Sequence, residues 1–126
     1  MKIMKHKIPS ALQELKPGAT WTLRGDNYSG LEWLDSGQTK PTETEINNKI
    51  IELDNAEAMR LLRIERNKRL SECDWVITKA NETDIPAPLP WKEYRQRLRD
   101  LTNNANPKLD ELYELDLSSV DWPTSP

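Results

Sequence analysis

Phenylalanine is absent from this 126-residue chain, which holds a single cysteine, Cys73, a single histidine, His6, and four glycines. One cysteine cannot close an internal disulfide, which excludes the disulfide-stapled secreted scaffolds and points to a reducing compartment. A structural zinc site takes about four Cys or His ligands, and one of each is too few. Nucleophilic catalysis by serine or cysteine asks for a neighbouring base, most often imidazole, and His6 sits alone in a polar N-terminal stretch. Gly18, Gly25, Gly30 and Gly37 match neither the phosphate-loop nor the dinucleotide spacing, so nucleotide binding lacks its cradle. Long apolar runs are also missing. Met1 to Ser10 carries Lys2, Lys5, His6 and Lys7 without the apolar stretch of about seven residues that a signal peptide needs. No run is long enough to span a bilayer. With 18 basic and 21 acidic side chains the net charge is -3, which sets up no global field for a polyanion or an anionic membrane.

What is present is polar and proline-rich. Hydrophobic residues make up 36% and nine residues are proline, a lean apolar supply at a mean hydropathy of -0.83, so part of the chain is expected to pack on partners. The length suits one domain-sized core. Ile8, Ala11, Leu12 and Leu15 fall at helical spacing, and Pro17-Gly18 stops that run. Thr20 to Arg24 and Gly30 to Trp33 alternate polar and apolar residues around a Gly25-Asp26-Asn27 turn cluster, which predicts a hairpin with Trp21, Leu23, Leu31 and Trp33 on one face. Such a hairpin needs cover.

Thr42-Glu43-Thr44-Glu45 has the Ser/Thr-x-x-Glu spacing of a capping box, so a helix is expected to begin near Thr42. Ile46, Ile50 and Leu53, then Leu61 and Ile64, extend one apolar stripe, so a single amphipathic helix could reach Cys73. At ~1.5 Å per residue it would be about 45 Å long, which calls for a break near Asp54-Asn55 or a neighbouring chain. Lys79 to Pro90, holding Pro86, Pro88 and Pro90, reads as an extended polyproline linker. A second helix starts at Pro90 or Trp91, with Trp91, Tyr94, Leu98 and Leu101 on one face beside a Lys92, Arg95, Arg99 stripe. Residues 102–126 carry five acids and one lysine, a net of -4, and read as an acidic arm with Trp122 as its aromatic anchor.

Glu43/Glu45 and Asp110/Glu111 are paired carboxylates, but a helix start and a tail offer none of the burial that tunes acid-base catalysis. Arg60, Arg63, Arg66, Lys68 and Arg69 face a single acid, Glu65. They read as a solvated helix face or as a nucleic-acid surface, and the acidic arm could lie along them within the chain or in a neighbour. Trp75, Trp91 and Trp122 stand beside prolines, charges or element ends, which suits either interface anchors or indoles filling a small core.

Three blocks carry a resemblance. Arg66-Asn67-Lys68-Arg69-Leu70-Ser71-Glu72-Cys73-Asp74-Trp75, then Trp91-Lys92-Glu93-Tyr94-Arg95-Gln96-Arg97-Leu98-Arg99-Asp100, then Trp122-Pro123, are together similar to the phage tail assembly chaperone family over roughly residues 60–126. The middle block is the specific part. Cys73 stands where a hydroxyl residue is usual, and the stretch from Leu101 to Asp121 is longer than the common spacing. The resemblance implies association with tail or tail-fibre polypeptides, as an assembly factor or as a subunit retained in the virion.

The expected fold is α+β, with an N-terminal β-hairpin, a long amphipathic helix, a second helix packed back on it and an extended C-terminal arm. Two regions are expected: residues 1–41, and residues 42–126 with the linker at 79–90 and the arm at 102–126. The expected function is that of a non-catalytic bacteriophage tail protein without cofactor or metal, found in the host cytoplasm during assembly and then in the virion tail if retained. Its expected partners are phage tail or tail-fibre proteins in an oligomeric or symmetric assembly, with no membrane. The alternative is a nucleic-acid-binding regulator using the helix at 60–69. The candidate residues are Asp74, Trp75, Trp91, Tyr94, Arg95, Leu98, Arg99 and Trp122, either as a partner-binding site or as an internal latch in which Asp74 pairs with Arg95.

Overall fold

The computed structural model describes residues 5–126; Lys2, counted above in the basic N-terminal stretch, lies outside them. Helix α1 (Ile8–Leu15) is followed by strands β1 (Trp21–Leu23) and β2 (Leu31–Trp33), then by helices α2 (Glu43–Glu72), α3 (Asp74–Thr83) and α4 (Leu89–Asp100). This is the expected α+β arrangement of hairpin, long helix and further helices. The chain forms two compact units, Met1–Glu57 and Ala58–Pro126. They divide within α2, whereas a division by composition falls at residue 41. The difference follows from burial: Ile46 and Ile50 of α2 are in the same core as α1 and the hairpin.

In the first unit β1 and β2 are antiparallel, with Trp21 opposite Trp33 and Leu23 opposite Leu31. All four therefore share one face, as alternation requires. The hairpin gains its cover from Ile8, Ala11, Leu12, Ile46 and Ile50. Its connection closes tightly, with the Arg24 amide donating to the Gly30 carbonyl at 2.9 Å, and a Cβ at Gly30 would overlap the Arg24 carbonyl oxygen. Thr42 caps α2 as predicted: its Oγ1 accepts from the Glu45 amide at 3.1 Å and donates to Glu45 Oε1 at 3.2 Å. His6 has a structural partner, since Asp54 Oδ1 meets its Nδ1 at 2.6 Å while the Lys5 and His6 amides donate to the same carboxylate, both at 2.9 Å. Nothing in the local sequence announces that partner, which lies 48 positions away.

In the second unit the buried stripe of α2 is Ala58 and Leu62. The expected Leu61 and Ile64 are displaced from it, and Ile64 is 54% exposed. One position along a helix turns a side chain by about 100°, so a shift of one residue moves it to another face. No break occurs at Asp54-Asn55: α2 runs on to Glu72, and Cys73, at φ -116° and ψ 15°, separates it from α3. The expected linker at 79–90 is also corrected. Helix persists to Thr83 and ends at Asp84 in the left-handed region at φ 55°, because proline disfavours helix at its own position and the one before it, not several residues upstream. The irregular stretch is thus Asp84 to Pro88, and α4 starts at Leu89 with Pro90 in its first turn, where a missing N–H costs nothing. Cys73, Val76, Ala87, Tyr94 and Leu98 form the core here, with Leu70, Ala80, Trp91 and Trp122 against it.

Candidate partner-binding site

The three blocks singled out in the sequence meet where α2, α3 and α4 converge. The last carbonyls of a helix have no intrahelical partner, and at the end of α2 one of them, Leu70, receives the guanidinium of Arg95: Nη1 donates to Leu70 O and to Cys73 Sγ, each at 3.0 Å. The other arm, Nη2, donates to Asp74 Oδ1 at 3.0 Å, so one fork spans the end of α2 and the start of α3. A cation at the C-terminus of one helix and an anion in the first turn of the next both oppose the local dipole charge. The Arg95 side chain is 13% exposed and that of Asp74 is 61% exposed. Desolvation works against the Arg95 charge, and the hydrogen bonds it donates to Cys73 and Asp74 outweigh it, raising its pKa. Cys73, in the place of a hydroxyl residue, is a buried thiol that faces the Arg69 and Leu70 carbonyls at 3.4 Å. Its contact with Arg95 has no sequence signal beyond that substitution.

Tyr94 and Leu98 are buried, as their spacing predicts; burial also pushes the Tyr94 phenol up, with nearby Arg69 opposing it. Trp91 stands edge-on between Trp75, at 5.6 Å between centroids, and Tyr94, at 6.1 Å. Trp122 closes the opposite side: the Arg69 guanidinium lies 4.0 Å above its ring, and its Nε1 donates to Leu117 O at 3.1 Å. Arg69 is held at the same time by Glu65 at 3.1 Å. The acidic arm therefore meets the basic stripe at Arg69 through an indole face. Arg99 does not join the Asp74 pair; its Nη2 donates to Gln96 Oε1 at 2.6 Å, on a face shared with Ile77, Lys92 and Glu93.

Beside this closed cluster lies an open apolar groove of about 260 Å³, lined by Trp75, Val76, Ala80, Ile85, Pro86 and Trp91 among others. Trp75 is 54%, Ile85 66% and Leu89 64% exposed. The sequence pointed to Trp75 and Trp91 but not to Ile85 and Leu89, whose exposure has no local signal, since Ala87 between the same prolines is buried. Among the described residues no group of His, Cys, Asp and Glu is arranged to hold a metal ion, and no helix is long and apolar enough to cross a membrane. The family model described as phage tail assembly chaperone protein matches residues 59–126. No curated protein and no solved structure matches the chain.

Proposed function

The chain belongs to the phage tail assembly chaperone family, and on that premise we propose that it is a non-catalytic tail-assembly factor that holds tail or tail-fibre polypeptides on the Trp75 groove. The observation that carries this reading is the division of labour among the aromatic and basic residues. Arg95, Tyr94, Leu98 and Trp122 are used internally, as a latch that holds α4 and the C-terminal arm against the junction of α2 and α3. Trp75, Ile85 and Leu89 remain exposed around the proline-bearing stretch Asp84 to Pro88. Exposed tryptophan and aliphatic side chains on a preorganised surface are what binding energy is drawn from at interfaces, since they bury large apolar area at little entropic cost. A chaperone or retained subunit needs such a surface and needs no tuned carboxylates.

Tagged chain recovered from infected cells should bring down a tail or tail-fibre protein, and Trp75→Ala combined with Ile85→Ser should abolish that capture without changing the helical circular dichroism. Undiminished capture by the double variant sinks the groove as the docking site. Quantitative mass spectrometry of purified particles separates the two modes: a fixed multiple copy number marks a retained subunit, and absence from particles despite abundance in lysate marks a factor that leaves.

A further inference from the structure

Two exposed surfaces of the second unit are left unused by the latch and the groove, and they complement each other. Along α2, Ile64 is 54% exposed and is neighboured by Arg63 and Lys68, neither of which has an ion-pair partner among the described residues, while Arg66 turns onto Asn67 Oδ1 at 3.2 Å. In the acidic arm, Leu109 and Leu115 form an isolated antiparallel bridge around a tight loop. Asp110 shapes that loop by accepting from the Leu112 and Glu114 amides at 2.8 and 3.0 Å, and Asp116 is occupied by Ser118. What the loop presents is Glu111-Leu112-Tyr113-Glu114, with Leu112 77% and Tyr113 39% exposed. Tyr113 holds φ 61°, a left-handed conformation uncommon for a large side chain, and neither glutamate side chain has a partner among the described residues.

One surface is thus an apolar residue flanked by two free cations, and the other an apolar pair flanked by two free carboxylates. Among the described residues no ion pair joins them within one chain. We infer that they meet between copies: the Glu111–Glu114 tip of one molecule docks on the Arg63, Ile64, Lys68 face of a second copy of this chain. The carboxylates pair with Arg63 and Lys68, and Leu112 covers Ile64. The contact is either made twice, reciprocally, across a two-fold axis, or continued head-to-tail into a ring or a filament. It stands independently of what occupies the Trp75 groove.

The test is sedimentation of the full chain over a range of concentration and salt, with two variants, Arg63→Ser/Lys68→Ser and Glu111→Gln/Glu114→Gln. The wild type should associate, more weakly as salt rises, and each variant should weaken association by about tenfold or more, which corresponds to ~1.4 kcal/mol. Mixed together, the two variants retain one native face each and should form one-to-one dimers that grow no further. A zero-length carbodiimide cross-link between Lys68 and Glu111 or Glu114, in a mixture of isotope-labelled and unlabelled wild type, should join a labelled to an unlabelled chain. A wild type that stays monomeric, association indifferent to both variants, or no labelled-to-unlabelled cross-link overturns the inference. So does a monomeric wild type whose stripe binds duplex DNA or a tail protein instead.

Discussion

Replacing Arg95 tests whether the carbonyl at the end of α2 or the carboxylate of Asp74 does more to hold α3 and α4 together. The geometry ranks them. The bond from Nη1 to Leu70 O is charge-assisted and largely shielded, and such a bond contributes about 1.5–3 kcal/mol. Leu70 O keeps the Cys73 amide at 3.2 Å when Arg95 is removed, which argues for the lower half of that range. The pair with Asp74 contributes ~1 kcal/mol or less, because Asp74 is 61% exposed and water screens it. Adding the lost packing of the arginine stem on Cys73, Arg95→Ala should cost about 2–4 kcal/mol. Asp74→Asn should cost below about 1 kcal/mol, and Arg95→Lys, which keeps charge but not the fork, should lie between them. Urea unfolding followed through the amide signals of α3 and α4 measures all three. If Asp74→Asn proves as damaging as Arg95→Ala, the ion pair and not the carbonyl contact is what holds the junction, and the reasoning fails. A cost under about 0.5 kcal/mol for Arg95→Ala removes the latch altogether.

Gly30→Ala should destabilise the first unit by about 1–3 kcal/mol, since its Cβ would overlap the Arg24 carbonyl; loss of the cross-strand amide signals of Trp21 and Trp33 would show it, and an unchanged hairpin would disprove the close approach. Hydrogen bonds from the Thr20 and Gln38 amides, with a further one from Gly37, lower the Asp35 pKa from its ordinary 3.8 despite slight opposition from burial. A folded pKa below the unfolded value stabilises above that unfolded value and is lost as pH falls through the folded one. The turn should therefore stay intact at neutral pH and loosen only below about pH 4, as an NMR titration of the Thr20, Gly37 and Gln38 amides would reveal; a transition near neutrality would contradict the assignment. Trp122→Ala removes the ring beneath Arg69, about 0.5–1 kcal/mol for the cation contact alone. The C-terminal arm should then be clipped by protease sooner than in the wild type, and equal protection would show that Trp122 is not its anchor.

The elements whose causes are local could be read from the sequence. Pro17-Gly18 ends α1, alternation sets the hairpin register that pairs Trp21 with Trp33, Thr42 and Glu45 start α2, and the spacing of Tyr94 and Leu98 gives α4 its buried face. The Arg95 and Asp74 pairing was one of two options, because packing the Trp91, Tyr94 and Leu98 face back on the long helix leaves Arg95 to meet a carboxylate. Other features depend on residues distant in sequence. Asp54 gathers the His6 ring and two amides, Leu70 offers its carbonyl to Arg95, Arg69 turns away from the acidic arm's carboxylates to lie over Trp122, and α3 continues to Thr83 because Ala80 has a core to join. Turn chemistry and periodicity act over a few residues, so the sequence by itself determined α1, the hairpin, the start of α2 and the buried face of α4, but not α3. Which stripe of α2 is buried, which tryptophans close the core and which stay exposed were decided only when the helices packed, because burial depends on what arrives from elsewhere in the chain.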